Sequence, residues 1–499
     1  MLHLDTLTQG TQFPGSAIIL QNYEPSQEGG YRRINGYTKF DSNAVTGDTD
    51  EPILGVKVFN GGVLSCRNTG TDNPLYFSGG SGWTKVSTTA RNGSVTKARF
   101  IDYSIVEPVV IQCDGVNPAW KYDGTTEVTL NSTGAPTNPK YASLFRNRLV
   151  LAGYGDGSKI TLSAPNDDEI YTGAGGAAEI NVGDIVTGIA TFRDDLVVFC
   201  RNSIKKLTGS TSADFAIAET VTSIGCVSHD SIKELGGDLV FLATDGYRSY
   251  AATERNEDVE LGILSQSIQP LVRGLLRQGF EEDNYSALVV RNKGQYRLYI
   301  NDTNGTEADT ESFLGHFTDT PTTPQGQFEW ATMKGVRPYC ADSEYTTSGV
   351  ELAIIGHPTN GYVYTLDTGN TFDGTTIAAI YRSPDLTFDD STIRKVFFKA
   401  ELFTQIEGDV CFDMQLLLDR ERQQTIQPAV IQIKQDGSSP LYGGGIYDTS
   451  VYGEFSTPVF ERNLIGSGFF GAFQFTSITA NAPFRLDSFQ IEFSIKGRR

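Results

Sequence analysis

Between residues 52 and 370 the sequence repeats one short plan, and this repeat constrains the fold more than any other feature. Each copy is an apolar strand, a turn rich in Gly, Asn or Asp, and a second strand. The copies open at Val63-Leu64-Ser65-Cys66, Val109-Val110-Ile111, Leu149-Val150-Leu151, Leu196-Val197-Val198-Phe199, Leu239-Val240-Phe241-Leu242, Leu288-Val289-Val290 and Leu352-Ala353-Ile354-Ile355. Their starts at 63, 109, 149, 196, 239, 288 and 352 are separated by 46, 40, 47, 43, 49 and 64 residues. Asp-Gly and Asn-Gly pairs such as Asp245-Gly246 and Asn360-Gly361 fall between apolar runs, where positive φ makes a tight hairpin. One four-stranded blade of a β-propeller takes about 40 to 50 residues. The expectation is an all-β chain with a propeller of about seven blades over residues 51–370. A large β-sandwich with evenly spaced hairpins is the alternative. An aromatic residue near the start of several copies (Phe59, Tyr103, Phe145, Phe192) reads as a wedge between blades. The long final gap reads as an insertion from about Asp302 to Trp330.

The flanks differ. Residues 1–50 have no sustained period and read as an extended N-terminal arm ending in a turn at Asn35-Gly36. Residues 265–278 place Ile268, Leu271, Val272, Leu275 and Leu276 on one helical stripe with Pro270 near the start, which predicts a short amphipathic helix capping the propeller. In residues 371–499 stretches such as Val396–Leu402, Met414–Leu418, Phe473–Phe475 and Phe489–Phe493 read as strands, several of them alternating, and suggest a C-terminal β-sandwich. A Gly/Tyr-rich stretch from Leu441 to Gly453 reads as an exposed loop that carries contacts.

Composition narrows the function. The 60 acidic and 40 basic residues give a net charge of −20, which argues against a surface that grips nucleic acid broadly and leaves open a channel that repels it. The six Cys (66, 113, 200, 226, 340, 411) form no C-x-x-C pair and read as reduced, buried thiols rather than a disulfide or zinc framework. The N-terminus shows no signal peptide, and no run reaches the roughly 18 apolar residues of a membrane helix. The expectation is a soluble protein made in a cytoplasm.

Candidate chemistry is thin. Gly173-Ala174-Gly175-Gly176-Ala177-Ala178 has a dinucleotide-loop spelling, but the following Ile180–Val186 reads as strand where that motif needs a helix. Gly155-Asp156-Gly157-Ser158-Lys159 lacks the Gly-Lys-Ser/Thr order of a phosphate loop and reads as a hairpin. His3, His229, His316 and His357 have no metal-ligand spacing. Acidic clusters at 167–169, 194–195, 254–260 and 281–283 could pair across blades as glycosidase carboxylates do, or be solvated loop charges. No catalytic, cofactor-binding or metal residue is assigned, and the chain is not expected to be an enzyme.

The arm sequence Gly29-Gly30-Tyr31-Arg32-Arg33-Ile34-Asn35-Gly36-Tyr37-Thr38-Lys39-Phe40, the recurring segments Phe145–Val150 and Phe192–Val197, and the closing Gly497-Arg498-Arg499 resemble the tail nozzle and hub proteins of short-tailed bacteriophages, also called packaged-DNA stabilisation proteins or tail tubular protein B. The resemblance implies a homohexameric ring in the virion tail, beneath the portal and adaptor. It implies a propeller on the outside and β-domains lining a channel for packaged double-stranded DNA. The ring would retain that DNA, carry tail fibres or spikes and open for ejection. Tyr31, Arg32, Arg33 and Tyr37 of the arm, and Tyr442, Tyr447 and Tyr452 of the Gly/Tyr loop, are the candidate subunit or adaptor contacts. The alternatives are a glycan-binding, receptor-recognising propeller and a propeller glycosidase or depolymerase.

Overall fold

The computed structural model describes residues 16–105, 108–251, 263–302, 306, 310–318, 327–388, 390–421, 425–435 and 459–498. The described residues are mostly β-strand, with single turns of 3-10 helix and the short α-helix Gln269–Gln278.

Residues 53–222 form four consecutive antiparallel meanders of four strands each. The first comprises Ile53–Phe59, Gly62–Arg67, Leu75–Ser78 and Thr84–Lys85, and the second Arg99–Asp102, Val110–Cys113, Trp120–Tyr122 and Glu127–Thr129. The third starts at Tyr141–Phe145 and the fourth at Val186–Phe192. A fifth unit has three strands, Lys233–Leu235, Asp238–Ala243 and Gly246–Ser249. The sixth runs from Tyr285–Val290 to Gln327–Lys334. The seventh is Cys340–Tyr345, Glu351–Gly356 and Val363–Leu366, completed by Tyr37–Lys39 from the other end of the sequence. Each first strand touches the next, with His229–Ser231 bridging the fourth to the sixth, and Cys340–Tyr345 returns to Ile53–Phe59. The seven units therefore close a circle.

Strand polarity explains why the repeat is visible. In the fourth meander Leu196, Val198 and Cys200 face the third, while Val197 and Phe199 face the fifth. A strand buried on both faces loses its polar alternation and reads as a solid apolar run. The repeat openings fall on such second strands in six copies. In the sixth, Leu288 lies on the first strand, Tyr285–Val290. The stretch read there as an insertion instead supplies the third and fourth strands, Glu311–Thr318 and Gln327–Lys334. In the expected pairs positive φ falls on the glycine alone, at Gly246 (151°) and Gly361 (73°), whereas the two-residue turns between first and second strands have it at both residues, Asn60 (46°) and Gly61 (76°), and Arg146 (47°) and Asn147 (57°). The wedge aromatics pack onto the following unit: Phe192 meets Tyr250 edge-on at 5.8 Å, and Phe59 lies 6.1 Å from Tyr122.

The helix spans Gln269–Gln278 behind a 3-10 turn at Gln266–Ile268, with Pro270 in its first turn. Ile268, Val272 and Leu275 are buried, and the helix lies against Gly246–Ser249, the last strand of the fifth unit.

Two further sets of strands complete the fold, the first of them continuous with the sixth unit through Gln21 and Thr332 and with the seventh through Thr371–Phe372. One orders Ile19–Gln21, Thr375–Arg382, Gly471–Thr479, Val410–Leu418 and Ile431–Gln435; the other orders Tyr23–Pro25, Tyr31–Arg33, Phe484–Arg498, Ile393–Ile406 and Val459–Gly468. They face each other through aromatic side chains, with Phe412 stacked on Phe484 at 4.5 Å and Phe473 and Phe475 against Phe489 at 5.2 and 5.9 Å.

The extended-arm expectation is corrected for residues 16–50. This segment supplies one strand to the first of these sheets, a hairpin to the second and the closing strand of the seventh meander. Asn35-Gly36 is not a free turn but is packed against residues 369–371. A Cβ on Gly36 would lie 1.8 Å from the Thr371 carbonyl oxygen, so only glycine lets the two backbones pass.

Candidate functional site

The first strands line the centre of the circle, and their polar residues meet there. Arg99, which opens the second meander, donates to Asp230 (2.8 Å) between the fourth and fifth units and to Asp283 (2.7 Å) ahead of the sixth. A side chain of the second unit reaches those partners only across the centre. Lys97 donates to the carbonyls of Asp283 (3.0 Å) and Tyr285 (3.2 Å) and also to Tyr339. Lys140 pairs with Glu282, which also accepts from the Tyr141 hydroxyl at 3.1 Å. Lys57 lies 2.7 Å from Asp102 and 3.4 Å from Asp342, joining the first, second and seventh meanders.

Lys57, Lys97 and Arg99 are buried, Asp230 and Asp283 are mostly so, and their protonation follows. Burial alone would raise the Asp230 carboxyl, but Arg99 and Lys97 hold it far below the usual range. Asp283 is lowered in the same way, against burial, by Arg99 and Lys140. Burial lowers Lys97 despite the nearby Asp230. The His229 ring lies tilted against Tyr141 at 4.8 Å, and burial pushes it down to about 3, so the ring is neutral at physiological pH.

On the Phe59 side of the circle lies a mouth of about 260 Å³ lined by Phe59, Asn60, Asp102, Ser104, Glu344 and Tyr345, among others. The chemistry of the centre is cross-bracing, with basic side chains matched to carboxylates from different units. Among the described residues no group of three or more His, Cys, Asp or Glu is placed to hold a metal ion. No helix among them is long and apolar enough to cross a membrane.

Of the acidic clusters among the described residues, only 281–283 reaches this centre. Asp168 and Glu169 pair with Lys121 at 2.9 and 2.6 Å, tying the second meander to the third, and Asp195 pairs with Lys206 at 2.9 Å within the fourth. Residues 254–260 and His3 lie outside the described residues. His316 is buried within the sixth meander, and His357 Nδ1 accepts from the backbone of Thr359 and Asn360. Gly173–Gly175 is one 3-10 turn followed by the strand Ala178–Asn181, and Gly157 closes a hairpin onto Tyr154.

The arm candidates are corrected as surface contacts. Tyr31, Arg33 and Tyr37 are buried inside the chain. The Arg33 guanidinium donates to the carbonyls of Asn370, Thr479 and Asn481 at 2.8 to 3.0 Å. Tyr37 stacks on Phe372 at 5.1 Å. Arg32 bridges Glu24 (3.0 Å) and Glu407 (2.5 Å). A neighbour could reach the three buried side chains only by unfolding their surroundings. Tyr442, Tyr447 and Tyr452 lie outside the described residues.

Sequence reasoning missed Lys57, Lys97, Arg99, Lys140 and Asp230. The available signal was a basic residue at or just before a strand, as in Lys97-Ala98-Arg99-Phe100 and Lys140-Tyr141.

No family model matches the chain, and no curated protein matches it. Among solved structures, a chain of the nidogen/laminin complex is similar at 13% identity and a TM-score of 0.28, covering 46% of this chain and 87% of that one. A chain of the complex of BBS1N with ARL6DN is similar at 12% identity and a TM-score of 0.38, covering 66% of this chain and 97% of that one. At these scores neither likeness carries an argument about function.

Proposed function

We propose that this chain is a seven-bladed β-propeller with an appended β-sandwich, and that it serves as a non-enzymatic structural subunit of the tail nozzle or hub of a short-tailed bacteriophage. The observation that carries this reading is the cross-braced centre. Arg99 and its partners spend their charges on one another across the circle, which suits a rigid building block better than a site that turns over substrate. The 16–39 segment, laced through the circle and both facing sheets, supports the same reading. Six copies would form a ring in the virion tail, assembled in the host cytoplasm. Portal and adaptor proteins would sit above it, and fibres or spikes would be bound to its flank. Because Arg99 spans the centre of each subunit, packaged DNA would run between subunits rather than through one propeller. The net charge of −20 would let the duplex slide without adhering.

The test is native mass with and without the tail adaptor. A hexamer, or a monomer that becomes a sixfold ring on the adaptor, is the expected result. A monomer indifferent to the adaptor would overturn it. The second reading, a glycan-binding propeller, is favoured by the mouth beside Tyr345, where an exposed aromatic ring stands near Asp102, Glu344 and Asn60. Glycan-array binding lost in Tyr345→Ala would select it.

A further inference from the structure

The seams between meanders are not alike. That between the fourth and fifth is apolar, built from Phe192, Val197, Phe199, Ile204, Leu239 and Phe241. That between the first and second has an apolar part, Leu54, Phe59, Leu64, Leu75, Val110 and Trp120, but also holds buried amides. Gln112 sits directly opposite Trp120 across antiparallel strands, so both side chains leave the same face. The Arg91 guanidinium lies over the Trp120 ring, pairs with Glu127 at 2.8 Å and donates to the backbone carbonyl of Asn73 at 3.3 Å. Gln112, Trp120, Arg91 and Asn73 are thus successive neighbours.

Gln112 is 1% exposed, Trp120 2% and Asn73 0%. Neither carboxamide atom of Gln112, neither of Asn73, and not the Trp120 indole N–H has a hydrogen-bond partner within the protein. A buried polar group left without a partner carries its full desolvation penalty, so each of these groups calls for a partner. The amides expose two carbonyl acceptors and four N–H donors, and the indole adds a fifth donor. A group that both donates and accepts, small enough to enter a packed seam, satisfies that mixture.

We propose that the seam between the first and second meanders is a binding site for ordered water, held by Gln112, the Trp120 Nε1–H and Asn73. Buried waters usually make two to four such bonds, and the available atoms supply them. The first meander is then joined to the second partly through solvent, whereas the fourth meets the fifth mainly through apolar side chains.

The test is an experimental density map of the full chain that resolves ordered water, together with the melting temperature of Gln112→Met. Water peaks about 3 Å from Gln112 and from Trp120 Nε1, and a melting temperature lowered by a few degrees in the variant, are expected. A seam without such peaks, with the amides paired to each other or left dry, would overturn the proposal. So would a Gln112→Met protein that melts higher than the parent, because removing a dry amide stabilises. The map decides the matter even if the variant fails to fold.

Discussion

The centre of the circle and the space between the two C-terminal sheets are both interiors, built on opposite principles. At the centre, residues distant in sequence are matched by charge: Arg99 with Asp230 and Asp283, Lys57 with Asp102 and Asp342. Between the sheets the contacts are ring on ring, with Phe412 meeting Phe460, Phe475 and Phe484. Aromatic packing stabilises through area and offset or edge geometry, and does not depend on protonation. An ionic interior adds little net stability over an apolar one, but it costs heavily when one partner is lost. The ionic interior therefore fixes which unit stands across from which, while the aromatic interior supplies cohesion.

Arg99→Met should be the most damaging single change. It takes the nearest cation from two part-buried carboxylates at once, leaving Asp230 with Lys97 at 4.0 Å and Asp283 with Lys140 at 3.7 Å, with an expected loss of about 3–5 kcal/mol by denaturant midpoint at pH 7.5, the range for breaking a buried pair. The deficit should narrow toward pH 4, where these carboxylates protonate; a deficit constant with pH would mean that the damage is steric. Phe412→Ala should cost about 3–4 kcal/mol through a cavity between the sheets, and that loss should not change with pH. A strong pH dependence in that variant would erase the contrast between the two interiors.

The smallest effect sharpens the comparison most. His229 stays neutral in the fold down to about pH 3, whereas the unfolded chain binds a proton near the ordinary value of about 6.5. Between those values the unfolded state holds more protons, so this contribution is complete above about pH 6.5 and is lost as the pH falls through the window. His229 alone should remove about 2 kcal/mol between pH 7.5 and pH 5. His229→Phe, which keeps a ring against Tyr141, should flatten that part of the profile. An unchanged slope would place the pH sensitivity elsewhere.

The same contrast decided what could be read from the sequence. Leu196–Phe199 and Leu239–Leu242 stand out because both of their faces are buried in apolar seams. Strands of the C-terminal region, such as Ile393–Ile406, stand out by alternation, with one face against the opposing sheet. The first strands were hidden. Lys57, Arg99, Asp102 and Asp342 interrupt their apolar pattern because the centre accepts paired charge, and the partners are too distant in sequence for any local pattern to join them. The sixth unit was misread by one strand because its Asn292-Lys293-Gly294 turn resembles the turns that elsewhere follow a second strand. The 16–50 segment looked like an arm because its four three-residue strands are shared among three separate places, which leaves no period.

That lacing has a consequence in time. Tyr37–Lys39 emerges among the first residues of the chain, yet its partner Val363–Leu366 is made more than three hundred residues later, and Tyr31 waits longer still for Leu486. At a synthesis rate of about 5–20 residues per second the nascent chain carries its closing strand unpaired for roughly a quarter of a minute to a minute. The circle cannot be sealed while the ribosome works on its middle, and a chain released early would present a bare strand edge to its neighbours.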